Sequence, residues 1–184
     1  MRLPTKAFTL IELLIVISLI TAITGATIPS FVGYIKSQNV KQAREQVKSD
    51  LRSLQNNALT NSVPLGVTPT TPIFWGVRFL ASSADYYYFA TPVNVNASNY
   101  NTCSSYIPGG SLMKFTLPSN VFSNTNTCII FDSNAGGTAM SNFNTTNGYG
   151  FVALRDTAST VFECIKIYSS GLITSGTWMG TYCN

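Results

Sequence analysis

Apolar residues are distributed along this chain in three regimes. From Phe8 to Ile28 they are nearly continuous, and the one charge in that run is Glu12. At about 1.5 Å rise per residue, a helix of that length matches a hydrocarbon core of roughly 30 Å. From Ser30 the pattern becomes amphipathic. Val40, Ala43, Val47, Leu51, Leu54 and Ala58 recur at steps of three and four, which predicts one apolar stripe on a helix. Lys41, Arg44, Glu45, Lys48, Asp50, Arg52 and Gln55 fill the other positions. Residues 8–62 are therefore expected to form one long helix, membrane-spanning over 8–28 and amphipathic over 30–62. Pro29 lies between the two regimes, removes a backbone donor, and predicts a bend.

After Val63-Pro64 the period changes. Pro64–Pro72 reads as a connector, followed by short segments rich in aromatic and branched residues. Ile73–Phe79 and Tyr86–Thr91 predict a hairpin turning through Leu80–Asp85. Met113–Leu117, Thr127–Asp132, Gly150–Arg155, Phe162–Tyr168 and Gly171–Ser175 predict further strands. Asn94–Gly110 and Ser133–Thr146 read as loops. The fold class expected is α+β, a long N-terminal helix packed on an antiparallel β-sheet domain over residues 63–184.

Composition adds an environment. Charged residues make up 10% of the chain, against about 25% in ordinary soluble domains, and Asn, Ser and Thr take their place. Beyond residue 62, Arg78, Lys114, Arg155 and Lys166 balance Asp85, Asp132, Asp156 and Glu163. A neutral globular part has no strong pull toward nucleic acid. Arg2 and Lys6 precede the apolar run, and by the positive-inside rule they keep that end cytoplasmic and send the C-terminus outward. The four cysteines, Cys103, Cys128, Cys164 and Cys183, all fall in the outward part. An even count there reads as disulfides. Chain order favours Cys103–Cys128 and Cys164–Cys183 among the three possible pairings. Their wide spacing and the absence of His argue against zinc, and no metal or cofactor is expected.

The same absence of His removes the usual Ser–His and Cys–His triads. The carboxylates of the globular part are isolated in sequence, so no acid/base pair is indicated. Gly136-Gly137 and Gly148-Tyr149-Gly150 are not followed by the Lys-Ser/Thr of a phosphate loop. No enzyme is expected. In Tyr86-Tyr87-Tyr88-Phe89, strand alternation predicts two rings in the core and two outside, in preference to a stacking platform for single strands or sugars.

Glu12 needs its own account, because a carboxylate in an apolar span costs about 2.5–3.5 kcal/mol. Lys6 offers a partner within the same helix; another subunit offers a second. Lys6-Ala7-Phe8-Thr9-Leu10-Ile11-Glu12 resembles the processing site of the type IV pilin and type II secretion pseudopilin superfamily. The resemblance implies a leader over 1–7 and cleavage between Ala7 and Phe8 by a prepilin peptidase. It also implies N-methylation of Phe8 and pairing of Glu12 with the terminal ammonium of a neighbouring subunit. The family carries Gly where this chain has Ala7, also a small residue. It often has a helix-kinking proline where Pro29 stands.

Phe74–Phe79 before Tyr86–Phe89, and Phe162–Gly171, resemble the minor pseudopilin H and FimT subgroup. The partners this implies are the peptidase, other pilin or pseudopilin subunits, an inner-membrane assembly platform and membrane lipid. The location implied is the inner membrane, then a pilus or pseudopilus. The implied function is a minor structural subunit of a secretion pseudopilus or type IV pilus. A tip-displayed module for DNA uptake or adhesion is the alternative. Against DNA, Gly171-Leu172-Ile173-Thr174-Ser175-Gly176 holds no positive charge where the DNA-capturing branch carries arginines. An ordinary signal peptide ending at Thr24-Gly25-Ala26 is a rival for the N-terminus, but it leaves Glu12 unexplained.

Overall fold

A computed structural model of the chain describes residues 9–60, 62, 74–91, 113–132, 137–141, 143, 147–158 and 160–184, without the side chains of 26–30, 91 and 139. Among the described residues, helix α1 runs from Leu10 to Leu59 and is followed by nine strands. They are β1 (Phe74–Phe79), β2 (Asp85–Thr91), β3 (Met113–Thr116), β4 (Val121–Ser123), β5 (Thr127–Phe131), β6 (Thr138–Met140), β7 (Tyr149–Asp156), β8 (Phe162–Tyr168) and β9 (Ile173–Gly176). The α+β class and its antiparallel pairing are as the periodicity predicts. The chain forms two compact units, Met1–Lys36 and Ser37–Asn184, so the second half of α1 belongs with the strands.

Instead of one sheet, the described strands form two, ordered β3-β2-β1-β5-β6 and β4-β7-β8-β9. Backbone hydrogen bonds stitch them together at two places. Ser82 N–H donates to Ser123 O at 2.8 Å and Ser123 N–H to Ser83 O at 2.9 Å, tying β4 to the β1–β2 turn. Thr138 N–H donates to Ser169 O at 3.0 Å, tying β6 to the β8–β9 turn. Strands β4 and β6 are the two that sequence pattern does not predict, and β6 lies inside the expected loop Ser133–Thr146. Each has three residues, too few for alternation to register. Their pairing is set by Leu154–Asp156 of β7 and Ile129–Phe131 of β5. The β1–β2 turn, β3, β5, β7 and β8 fall within a residue or two of expectation, and β9 starts two residues later than expected. Gly171, at φ 86°, makes the tight β8–β9 turn, a backbone geometry that favours a residue without Cβ.

The stripe of α1 enters the core as its period requires: Val40, Ala43, Val47, Leu51, Leu54 and Ala58 are all buried. They share one cluster with Trp75, Val77 and Phe79 of β1, Ile129 and Phe131 of β5, Val152 and Leu154 of β7, and Ile165 and Ile167 of β8. Tyr86 and Tyr88 join this cluster from β2. Phe89 turns to the opposite face, buried with Phe74, Cys128 and Ile130. Three of the four aromatic residues of β2 are thus buried, one more than alternation on a half-buried strand predicts. The Phe89 ring lies over Gly76, its cross-strand partner. A Cβ on Gly76 would fall 2.3 Å from that ring.

Polar contacts fix α1 against both sheets. Asp50 accepts a hydrogen bond from Tyr86 Oη, and Gln46 Nε2 donates to the same oxygen at 3.1 Å. Burial, reinforced by the Asp50 charge, pushes the Tyr86 hydroxyl well above its ordinary pKa. On the other side Arg44 Nη1 meets Glu163 Oε2 at 2.8 Å, and Lys48 Nζ donates to Ser175 Oγ at 3.0 Å.

Candidate functional site

The first half of α1 has an unusual surface for a helix outside a core. Leu10, Ile11, Leu13 to Ile17, Leu19, Ile20 and Ile23 are 45–80% exposed, on every side of the helix. Phe31, Val32, Tyr34 and Ile35 continue this apolar surface. Its few polar side chains are turned inward to the backbone. Ser18 Oγ donates to Ile15 O at 2.8 Å, Thr21 Oγ1 to Ser18 O at 2.9 Å and Thr24 Oγ1 to Ile20 O at 2.6 Å. With their hydroxyls satisfied locally, these residues leave mostly hydrocarbon facing out. Among the described residues, no helix is long and apolar enough to cross a membrane.

At the start of this surface Glu12 is engaged within its own helix. Glu12 N–H donates to Thr9 Oγ1 at 3.3 Å, while Thr9 N–H and Thr9 Oγ1 donate to Glu12 Oε2 at 3.4 and 3.3 Å. This is a capping box: Thr9 is the N-cap, and Glu12 returns its carboxylate to the first turn, where the helix dipole favours negative charge. Thr9 is the residue that the sequence reading missed. Its signal was present as Thr9-Leu10-Ile11-Glu12, a Ser/Thr followed three residues later by Glu. The other residues expected at this end, Lys6, Ala7 and Phe8, lie outside the described residues. The helix continues through Pro29, whose side-chain surroundings also lie outside them.

The cysteines form a second, structural feature. Cys164 and Cys183 are bonded, with Cα atoms 6.0 Å apart, as chain order favours. Cys128 is also disulfide-bonded; Cys103, its expected partner, lies outside the described residues. The Cys164–Cys183 bridge holds a short C-terminal hairpin, in which Asn184 N–H donates to Thr177 O at 2.8 Å and Met179 N–H to Tyr182 O at 2.9 Å. Tyr149 Oη donates to Cys183 O. Trp178 packs against Phe151 and Phe162, at 5.4 and 6.3 Å between ring centroids. A Cβ on Gly176 would fall 2.5 Å from Cys183 Sγ, so this close approach depends on glycine.

Reactive constellations are absent from what is described. No group of three or more Cys, Asp or Glu is placed to hold a metal ion among the described residues. Asp156, the one buried carboxylate among them, is used by the β7–β8 turn. Its Oδ1 accepts from Thr160 N–H at 2.7 Å and Val161 N–H at 2.9 Å, and its Oδ2 from Thr160 Oγ1 at 2.9 Å. Burial by itself raises this carboxyl, but the hydrogen bonds outweigh it and hold the pKa below its ordinary value of 3.8. No family model, no curated protein and no solved structure matches the chain.

Proposed function

We propose that the protein is a non-enzymatic filament subunit of the pilin or pseudopilin kind. In this reading an inner-membrane anchor holds it until assembly, after removal of residues 1–7. The observation that carries the reading is the joint character of α1. One half displays apolar side chains on all sides, and the other buries a single stripe against its own sheets. A helix apolar all round is stable only where something apolar surrounds it. In a bilayer that surrounding is lipid; in a filament it is the same half of neighbouring helices. Backbone-bonded Ser18, Thr21 and Thr24 suit both settings, since neither supplies water to a hydroxyl.

Glu12 supports the reading through its position. The capping box holds its carboxylate at the first turn, next to where a terminal ammonium would stand after cleavage before Phe8. Transfer of that carboxylate to a neighbour's ammonium replaces weak neutral donors with a charged one, and a charge-assisted bond is roughly twice as strong.

The test is the intact mass and N-terminal sequence of the protein from its native membrane. A chain beginning at methylated Phe8 is the expected result. A start after Ala26 makes it an ordinary exported protein, and an uncut Met1 removes the processing on which assembly depends.

A further inference from the structure

Asn is followed by Gly once in this sequence, at Asn147-Gly148, and Asp-Gly never occurs. The pair forms the turn that leads into β7, with Asn147 exposed, and both residue types favour turns. Gly148 holds φ 71°, a conformation that glycine adopts without steric cost. A Cβ placed on it would meet no atom within 4 Å. Its backbone nitrogen is therefore screened neither by a side chain of its own nor by a neighbour standing in that place.

We propose that Asn147 is a self-modifying site, converted in water to aspartate and isoaspartate through a cyclic imide with Gly148. The Gly148 nitrogen, its proton taken by solvent base, attacks Asn147 Cγ. The new N–Cγ bond expels Nδ2 as ammonia, which carries off the electron pair and takes a proton from solvent. Water then opens the ring at either carbonyl. Opening at Cγ leaves aspartate, and opening at the main-chain carbonyl leaves isoaspartate. The sum is amide plus water giving acid plus ammonia, with nothing oxidised or reduced. Each event adds one carboxylate to a chain in which charged residues are 10% of the total. The isoaspartate product also lengthens the main chain by one carbon immediately before Tyr149. That residue donates from Oη to Cys183 O, and its ring faces Lys166 Nζ at 5.1 Å.

The other described asparagines that precede a residue lack this arrangement. Asn39, Asn56 and Asn57 lie within α1, where the next nitrogen is tied into the helix hydrogen bonds. Asn120 also has a positive φ, 66°, but it precedes β-branched Val121, whose N–H donates to Pro118 O at 3.1 Å. After Asn124, Thr125 N–H donates to Ser123 Oγ at 3.4 Å, and Asn126 Oδ1 accepts from Ala81 N–H at 2.8 Å. Asn147 has an interaction partner too, so ring closure competes with that contact. A free peptide, which lacks the fold, measures the competition.

The test ages the full chain in detergent micelles, in mildly alkaline buffer made with heavy-oxygen water, beside a synthetic peptide of residues 145–151. Peptide mapping by mass spectrometry reads which asparagine becomes an acid and gains a labelled oxygen, and fragmentation separates isoaspartate from aspartate. Asn147 should convert before every other asparagine of the chain, with both products, at a rate comparable to the peptide's. Asn147→Gln, whose longer side chain closes such a ring far less readily, should lose the conversion and melt like the wild type. The wild-type comparison with the peptide stands whether or not that variant folds. Retention of the Asn147 amide in the folded chain while the peptide converts would overturn the proposal. So would earlier conversion of another asparagine, or aspartate without isoaspartate, which marks direct hydrolysis of the amide.

Discussion

At the scale of single residues, the polar groups of the core are unequal. Tyr86 Oη is hydrogen-bonded to the Asp50 carboxylate; Tyr88 Oη is buried close to Asp50 and Tyr86 but makes no hydrogen bond of good geometry with either. Both rings pack against Phe115, at centroid distances of 5.7 and 4.2 Å, so removing a hydroxyl keeps the packing. Tyr86→Phe should cost about 1.5–3 kcal/mol, the value of a hydrogen bond to a charged group. Tyr88→Phe should cost less than Tyr86→Phe, because its desolvated hydroxyl has no well-formed hydrogen bond to lose. Urea denaturation of the two variants checks this, and equal losses would contradict it.

Asp156 sets an acid limit. Its folded-state pKa lies below its unfolded value, so its contribution is complete above the ordinary aspartate range. That contribution is lost as pH falls through the depressed value. The melting temperature of the wild type should fall as pH drops below about 4. Asp156→Asn should flatten that dependence. An unchanged acid slope in the variant would place the sensitivity elsewhere.

At the scale of elements, α1 is one helix with two kinds of surface, and substitutions should divide accordingly. Leu51 is buried in the core cluster that both sheets share, and Leu51→Ala should destabilise unit Ser37–Asn184 by about 2–5 kcal/mol, as transfer and cavity effects add. Leu14 is 53% exposed, and Leu14→Ala should leave the melting of that unit unchanged. A similar loss for Leu14→Ala would mean that its half of the helix packs on the sheets. The strands divide in a comparable way. Long ones such as β7 and β8 carry enough alternation to be legible alone. Strands β4 and β6 become strands because a neighbour offers a free edge.

At the scale of the whole molecule, Glu12 is where the local and the assembled readings meet. Its capping box explains how one carboxylate is tolerated before an apolar run without a second chain. In the proposed filament subunit, Glu12→Ala should still insert into membranes, since it removes a charge that opposes insertion. It should not be recovered in sheared filaments. Normal incorporation of that variant would refute the assembly role and leave Glu12 as a helix cap only.

What the sequence determined by itself was whatever depends on short-range period and local chemistry. The six stripe residues of α1, the hairpin of β1 and β2, the register-bearing strands β7 and β8, and the Thr9–Glu12 cap are all written in residues three or four apart, or in alternation. Only the tertiary structure decided that the strands divide into two sheets stitched at Ser82–Ser123 and Thr138–Ser169. It also decided that Phe89 of β2 is buried on the face opposite Tyr86 and Tyr88, and that Gly76 and Gly176 must be glycine to admit Phe89 and Cys183. These depend on which distant segments meet. Contacts of that kind are set by how the stripe of α1 packs with residues of both sheets in one core, and no window of neighbouring residues contains that information.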